Sequence, residues 1–206
     1  PAAAEPTAVA TIKPLHSLIA AVMKNVGTPS LIIEGASSPH THALKPSQAA
    51  NLSRADLVFW FGRNLEAFME KPVQTIATKA TVIELLESSE LTKLPFRNLE
   101  SFSSEDHAHD EHAHDEKKHD EYGHHGHRHG EFDPHVWLDP ENAKAIVTVI
   151  RDTLARIDAK HAATYKSNAS ATIKRLDDLT AKIRKSLSHA GDYKFITFHD
   201  AYQYFE

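Results

Sequence analysis

A parallel-sheet α/β fold, with a (βα)4-like N-terminal lobe, is the class that this 206-residue sequence predicts. Three observations point to it. Short apolar segments alternate with helical periodicity four times at close spacing, the pattern of strands joined by helical crossovers. One segment, Asp56-Leu57-Val58-Phe59-Trp60-Phe61, is continuously apolar after its first residue, as a strand covered on both faces must be. Two long amphipathic stripes then follow a polar interruption.

Taken in order, Val9 to Lys13 reads as the first strand, and Pro14 opens an apolar helix over Leu15 to Lys24, where its missing N–H costs little. Leu31-Ile32-Ile33 is the second strand and leads into the turn-rich run Glu34 to Pro39. Ser47 is expected to N-cap a helix over Gln48 to Arg54. After the Asp56–Phe61 strand, Asn64 to Lys79 reads as a helix kinked at Pro72, and Thr81-Val82-Ile83 as the fourth strand. Residues 101–133 hold Ser, His, Asp, Glu and Gly with almost no apolar side chains, a composition that cannot offset chain entropy and is expected to be a disordered loop. Order resumes at Val136-Trp137-Leu138. Asp139 caps a helix starting at Pro140, with Ala143, Ile146, Val147, Ile150, Leu154 and Ile157 as its apolar stripe. A second long helix spans His161 to Leu187, with Ile173, Leu176, Leu179, Ile183 and Leu187 at three- and four-residue steps, and Gly191 ends it. Lys194 to Phe198 reads as a fifth strand running into His199.

The implied organisation is a flexible tail over 1–7 and an N-terminal lobe over 8–139 that contains the 101–133 loop. Helices fill 140–190, among them the long one at 161–187, and 191–206 starts a further lobe. Only 15 residues run from Asp192 to the end, against roughly 100 for an ordinary domain, so a C-terminal truncation is expected. The opening Pro1 to Pro6 has no initiator methionine, charged n-region or apolar h-region, and is expected to begin a mature exported protein, a trimmed chain being the alternative.

Composition narrows the chemistry. Net charge is −5, but Glu105 to Asp133 holds ten carboxylates against three basic residues, so this stretch carries −7 and the remainder +2. With no polybasic footprint, nucleic acid is excluded as a partner. No stretch approaches the roughly 18 apolar residues of a membrane span. The absence of cysteine removes disulfides, thiolate metal sites and cysteine nucleophiles.

The excess is histidine, 16 in all, nine of them between His107 and His129. Three others stand apart: His40 after the second strand, His135 just before a capped helix, and His199 after the fifth strand. The crevice beyond the carboxyl ends of strands is where open α/β sheets hold ligands. Three imidazoles converging there suit Zn²⁺, which favours nitrogen donors in a tetrahedron. Because the neutral ring is the ligand, affinity falls as pH drops through the imidazole range. Three unrelated turn histidines are the competing reading. His42 is a spare ligand, whereas His16, His161 and His189 lie in helices or at their ends and read as structural or solvated. The tract itself, His107, His109, His112, His114, His119, His124, His125, His127 and His129, pairs imidazoles two apart with carboxylates and is a looser secondary site for Zn²⁺, Cu²⁺ or Ni²⁺.

These residues fall into three ordered motifs. Glu34-Gly35-Ala36-Ser37-Ser38-Pro39-His40, with Leu44-Lys45-Pro46-Ser47, resembles the first-ligand motif of the metal-binding proteins that serve bacterial zinc and manganese ABC transporters. Asp133-Pro134-His135-Val136-Trp137-Leu138-Asp139-Pro140 resembles the second, and Phe198-His199-Asp200-Ala201-Tyr202-Gln203-Tyr204-Phe205 the third. The acidic His-rich insertion before the second motif is similar to that of the zinc branch, the ZnuA-type periplasmic proteins. The resemblance covers nearly the whole chain. It implies two α/β lobes joined by a long rigid helix, here 161–187, with metal held between them by His40, His135 and His199. A carboxylate is typical at the third position of the manganese branch, so His199 favours zinc. Some zinc-specific members carry a glutamate before the first histidine; Pro39 stands there in this chain and cannot ligate, and water could complete the tetrahedron. The amino-terminal cysteine of lipid-anchored members is absent.

The resemblance implies a high-affinity zinc-binding component of an ABC transporter, a monomer that captures Zn²⁺ in the periplasm and hands it to a membrane permease with its ATPase. The alternatives are a His-rich metal buffer or storage protein and, less favoured, a three-histidine zinc hydrolase. The hydrolase would need a general base, for which only Asp200 is adjacent, and no His-Glu-x-x-His helix or Gly-x-Ser-x-Gly elbow occurs.

Overall fold

The computed structural model describes residues 5–97, 132–189, 191, 196–197 and 199–206. Its sheet has four parallel strands in the order β2-β1-β3-β4: β1 (Ala8–Ala10), β2 (Ser30–Leu31), β3 (Leu57–Trp60) and β4 (Thr81–Glu84). Every residue of the central β1 and β3 is buried, as the unbroken apolar reading of β3 requires. β1 stands beside β2 on one side and β3 on the other, so consecutive connections leave it in opposite directions. This opens a crevice at the carboxyl ends of the strands.

Helix α1 (Lys13–Val22) has Pro14 in its first turn and buries Leu15, Ile19 and Val22 against the sheet. Its C-terminal carbonyls are capped from a distance: the Asn168 side-chain amide donates to the carbonyls of Val22 and Lys24. Helix α2 (Pro46–Ser53) starts earlier than expected, with Lys45 rather than Ser47 as its cap. Pro46 takes the first helical position, and the Gln48 side chain reaches back 2.8 Å to accept from the Lys45 amide.

The helix expected over 64–79 is the main correction among the described elements. A single tight turn (Ala67–Met69) leads into a short α3 (Glu70–Thr75). The Glu66 carboxylate folds back to accept from the amides of Phe61 and Gly62, which holds the chain in a turn where a helix would otherwise run. Pro72 sits in the first turn of α3, where it produces no kink.

Helix α4 (Pro140–Ile157) is capped as expected, Asp139 Oδ1 accepting from the Glu141 amide at 2.8 Å. Its stripe is buried from Ala143 to Leu154, but Ile157 is exposed where the chain turns. Asp158 fixes that corner by accepting from His161 Nδ1 and the Tyr165 hydroxyl. Helix α5 (Ala162–Leu187) divides in two. Tyr165, Ala169 and Thr172 are buried against α1 and α4, whereas Leu179 and Leu187 near its end are exposed. α4 and the first half of α5 share one core with the sheet, so the 140–190 helices extend the lobe expected to end at residue 139.

The tail expected over 1–7 is tied down earlier. Pro6 is buried, and Thr7 exchanges hydrogen bonds with Asp56 and accepts one from the Leu57 amide. Most of the expected fifth strand, at Lys194, Phe195 and Phe198, lies outside the described residues, while Ile196 and Thr197 form no regular structure. Residues 199–206 form turns rather than the start of a helix. The expected 101–133 loop lies outside the described residues except for Phe132 and Asp133.

Candidate metal centre

The path to the site starts at the sheet. Phe61, immediately after β3, is fully buried and packs on the Trp137 ring at 4.8 Å between centroids. Trp137 in turn lies 5.3 Å from the His135 ring. The carboxyl end of the central strand therefore carries an aromatic stack that ends in an imidazole.

His135 is 7% exposed and its orientation is set by one neighbour. Asp133 Oδ1 lies 2.9 Å from the His135 backbone nitrogen and 2.7 Å from Nδ1, with Asp133 itself 3% exposed. A carboxylate only accepts, so it holds the proton on Nδ1 and leaves the Nε2 lone pair free to bind a cation. This arrangement fixes the tautomer as well as the ring plane.

His40 arrives from the loop after β2. Gly35, at φ +72°, supplies the left-handed conformation that turns this loop, and the Ser38 hydroxyl accepts from the His40 amide. His199 comes from the C-terminal segment. Both are exposed, and their rings stand 5.6 and 5.4 Å from that of His135 and 6.2 Å from each other. One nitrogen from each ring lies within 4.8 Å of the others. Three segments far apart in sequence thus present three imidazoles to one point, and among the described residues this is the one cluster able to hold a metal ion.

The cleft in front of them has a volume of about 570 Å³, is walled by Pro39, Trp137, Leu138 and Tyr202, and has no lysine or arginine in its lining. This lining offers a soft-to-borderline divalent cation three imidazole nitrogens, a largely apolar wall and no opposing charge.

The three ligand candidates named from the sequence are therefore brought together. His42 is not among them: its Nε2 contacts Gln48 Oε1 at 3.1 Å and its ring packs on Phe68. The expectation of a spare ligand is corrected, because Gln48 and Phe68 hold the ring on the helix α2 side. His16 contacts the Pro29 carbonyl and His161 the Asp158 carboxylate, in keeping with structural roles. The nine tract histidines, His107 to His129, lie outside the described residues. Asp200 faces Arg97 at 3.9 Å and does not line the cleft, so the base that a hydrolase would need is not placed there. Sequence reasoning passed over Asp133 as a functional residue. Its signal was present, since an aspartate two residues before a histidine can close a local turn onto both that residue's amide and its ring.

A family model described as zinc-uptake complex component A, periplasmic (ZnuA), matches residues 8–206. The high-affinity zinc uptake system protein ZnuA of Brucella abortus (strain 2308) is 47% identical over 210 residues, covering 96% of this chain and 63% of the relative. The protein of the same description from Paracoccus denitrificans is 34% identical over 216 residues, covering 100% and 64%. This chain thus spans less than two thirds of the length of these relatives. Among solved structures, the Zn(II)-bound AdcA of Streptococcus pneumoniae superposes with a TM-score of 0.72 at 25% identity, covering 97% of this chain and 36% of that one. A ZnuA crystal structure superposes at 0.73 with 22% identity, a likeness of fold.

Proposed function

Because this chain belongs to the family of periplasmic ZnuA zinc-uptake components, we propose that it is the part of a zinc ABC transporter's binding protein that supplies the metal site. His40, His135 and His199 take Zn²⁺ as cargo, with water or a group from outside this chain in the fourth position. The observation that carries this reading is the convergence of three imidazole nitrogens to within 4.8 Å from three separate segments. Zinc is held by affinity alone. The family is one of transport components and not of enzymes, and no bond in a substrate has to be made or broken.

The cargo is captured in the periplasm and delivered to a membrane permease driven by its ATPase. Among the described residues no helix is long and apolar enough to cross a membrane. The chain acts as a monomer, its lobe of sheet plus α4 and α5 facing a second lobe that begins near residue 191. With 26 residues in one uninterrupted α5, loading changes the site locally rather than by wide hinge closure. The tract His107 to His129 is a secondary metal site that serves as collector, sensor or buffer beside the tight site.

A competitive zinc titration tests this on a chain lacking Glu105 to Gly130, beside the same deletion with His40→Ala and His135→Ala. One tight zinc that survives the deletion and disappears with the histidines is the expected result. Loss of all tight binding with the tract would favour a metal buffer instead.

A further inference from the structure

Asp133 has two faces. Its side chain orients His135 through the amide and Nδ1. Its backbone does something different: the amide donates to the Leu94 carbonyl at 2.9 Å, and the carbonyl accepts from the Tyr204 hydroxyl at 2.8 Å. The same hydroxyl accepts from the Leu94 amide at 2.8 Å. One phenol oxygen therefore closes a ring of three hydrogen bonds over Leu94 and Asp133, with both its donor and its acceptor capacity used.

Tyr204 lies five residues after His199 on the C-terminal segment, and its ring packs at the edge of the core. Between them Ala201 is buried. Several other side-chain bonds between this segment and the lobe are exposed, among them Gln203 to the Pro95 carbonyl, Arg97 to Gln203, and Arg97 to Glu206. Exposed bonds of this kind compete with water and contribute little to holding a position. The two bonds of the phenol are part-buried and so less open to that competition.

We propose that Tyr204 is a positioning residue of the metal centre, pinning the segment that carries His199 to the residue that orients His135. The inference rests on the zinc reading of the three histidines. Without the pin, more of the ordering of the His199 segment falls to the moment the ion binds. With it, the third ligand is already in place, and the ordering cost has been met by folding.

Tyr204→Phe keeps the ring in the core and removes only the hydroxyl. Zinc affinity of the full 206-residue chain is measured by competition with a chelator strong enough to leave only the tightest site occupied, for wild type, Tyr204→Phe, His199→Ala and the double variant. Melting of the zinc-free proteins is recorded alongside. Loss of an outer contact of this kind is expected to weaken zinc about 10-fold in the wild-type background. It should have no further effect once His199 is alanine, because there is then no third ligand to position. A merely structural role would weaken zinc in both backgrounds alike, and that result overturns the proposal, as does an unchanged affinity in Tyr204→Phe. If His199→Ala alone leaves tight zinc binding intact, the zinc reading of the site fails and the proposal with it. That outcome is distinct from one in which His199→Ala weakens binding and Tyr204→Phe does not.

Discussion

His135 and His199 face each other across one cleft with ring centroids 5.4 Å apart, yet they are held in opposite ways. His135 is buried, its ring locked by Asp133 and backed by Trp137 and Phe61, which connect it to the central strand. His199 is exposed on a short segment of turns that is fastened to the lobe by a few side-chain hydrogen bonds. The site thus joins a candidate ligand built into a core to a candidate ligand attached to its surface. One imidazole is seated in the core, and the other sits on a segment tied to the lobe through Tyr204.

The largest expected effect breaks the rigid side. Ile150 is fully buried on α4, and Ile150→Ala should cost roughly 2–5 kcal/mol of unfolding free energy in urea. The comparable truncation Leu187→Ala, at an exposed position at the end of α5, should stay within about 0.5 kcal/mol. Equal costs would show that the end of α5 is packed as firmly as the core and would remove the contrast.

A second test addresses the carboxylate beneath the scaffold. Burial pushes the Glu66 carboxyl from 4.5 up to about 7, with Glu84 adding repulsion, against the opposing hydrogen bonds from Thr11, Gly62 and Phe61. Below pH 4.5 the group is protonated in both folded and unfolded chains. Between 4.5 and 7 the folded state keeps a proton that the unfolded chain has released, so stability falls as pH rises through this window, by about 3 kcal/mol in total, and levels off above it. Glu66→Gln should remove that component, so the urea midpoints of wild type and variant should diverge between pH 5 and 7. Parallel curves would mean that Glu66 does not set the slope.

The smallest effect sharpens the comparison at the ligand itself. Asp133→Asn preserves the shape of the contact but removes the charge that holds the proton on Nδ1, and zinc should bind 10–100-fold more weakly in competition titrations. The melting temperature of the zinc-free chain should change little by comparison. Unchanged zinc affinity would mean that burial alone orients His135.

The parts of this protein that were legible in the sequence are those fixed by local chemistry. Asp139-Pro140 marks the start of α4 because a carboxylate cap and a proline at the first helical position need only their immediate neighbours. Strand β3 was legible because burial on both faces leaves no room for alternation. The Asn64–Lys79 segment was misread for the opposite reason. Glu66 is an ordinary helix former by propensity, but its partners are the amides of Phe61 and Gly62 and the Thr11 hydroxyl, and the last of these lies 55 residues away.

At the metal centre the division is similar. His40, His135 and His199 could be named from where they stand relative to strand ends and motifs, because donor chemistry belongs to the residue and the chain order of elements is written in the sequence. Tertiary structure decided which histidines meet. It turned His42 toward Gln48 and Phe68, gave His135 its tautomer through Asp133, and joined the His199 segment to Asp133 through Tyr204. Those outcomes depend on contacts 6, 2 and 71 residues apart along the chain, and the last of them exists only once the sheet and helices have packed. Periodicity and donor type are properties of a sequence, whereas the direction in which a ring points is a property of what surrounds it.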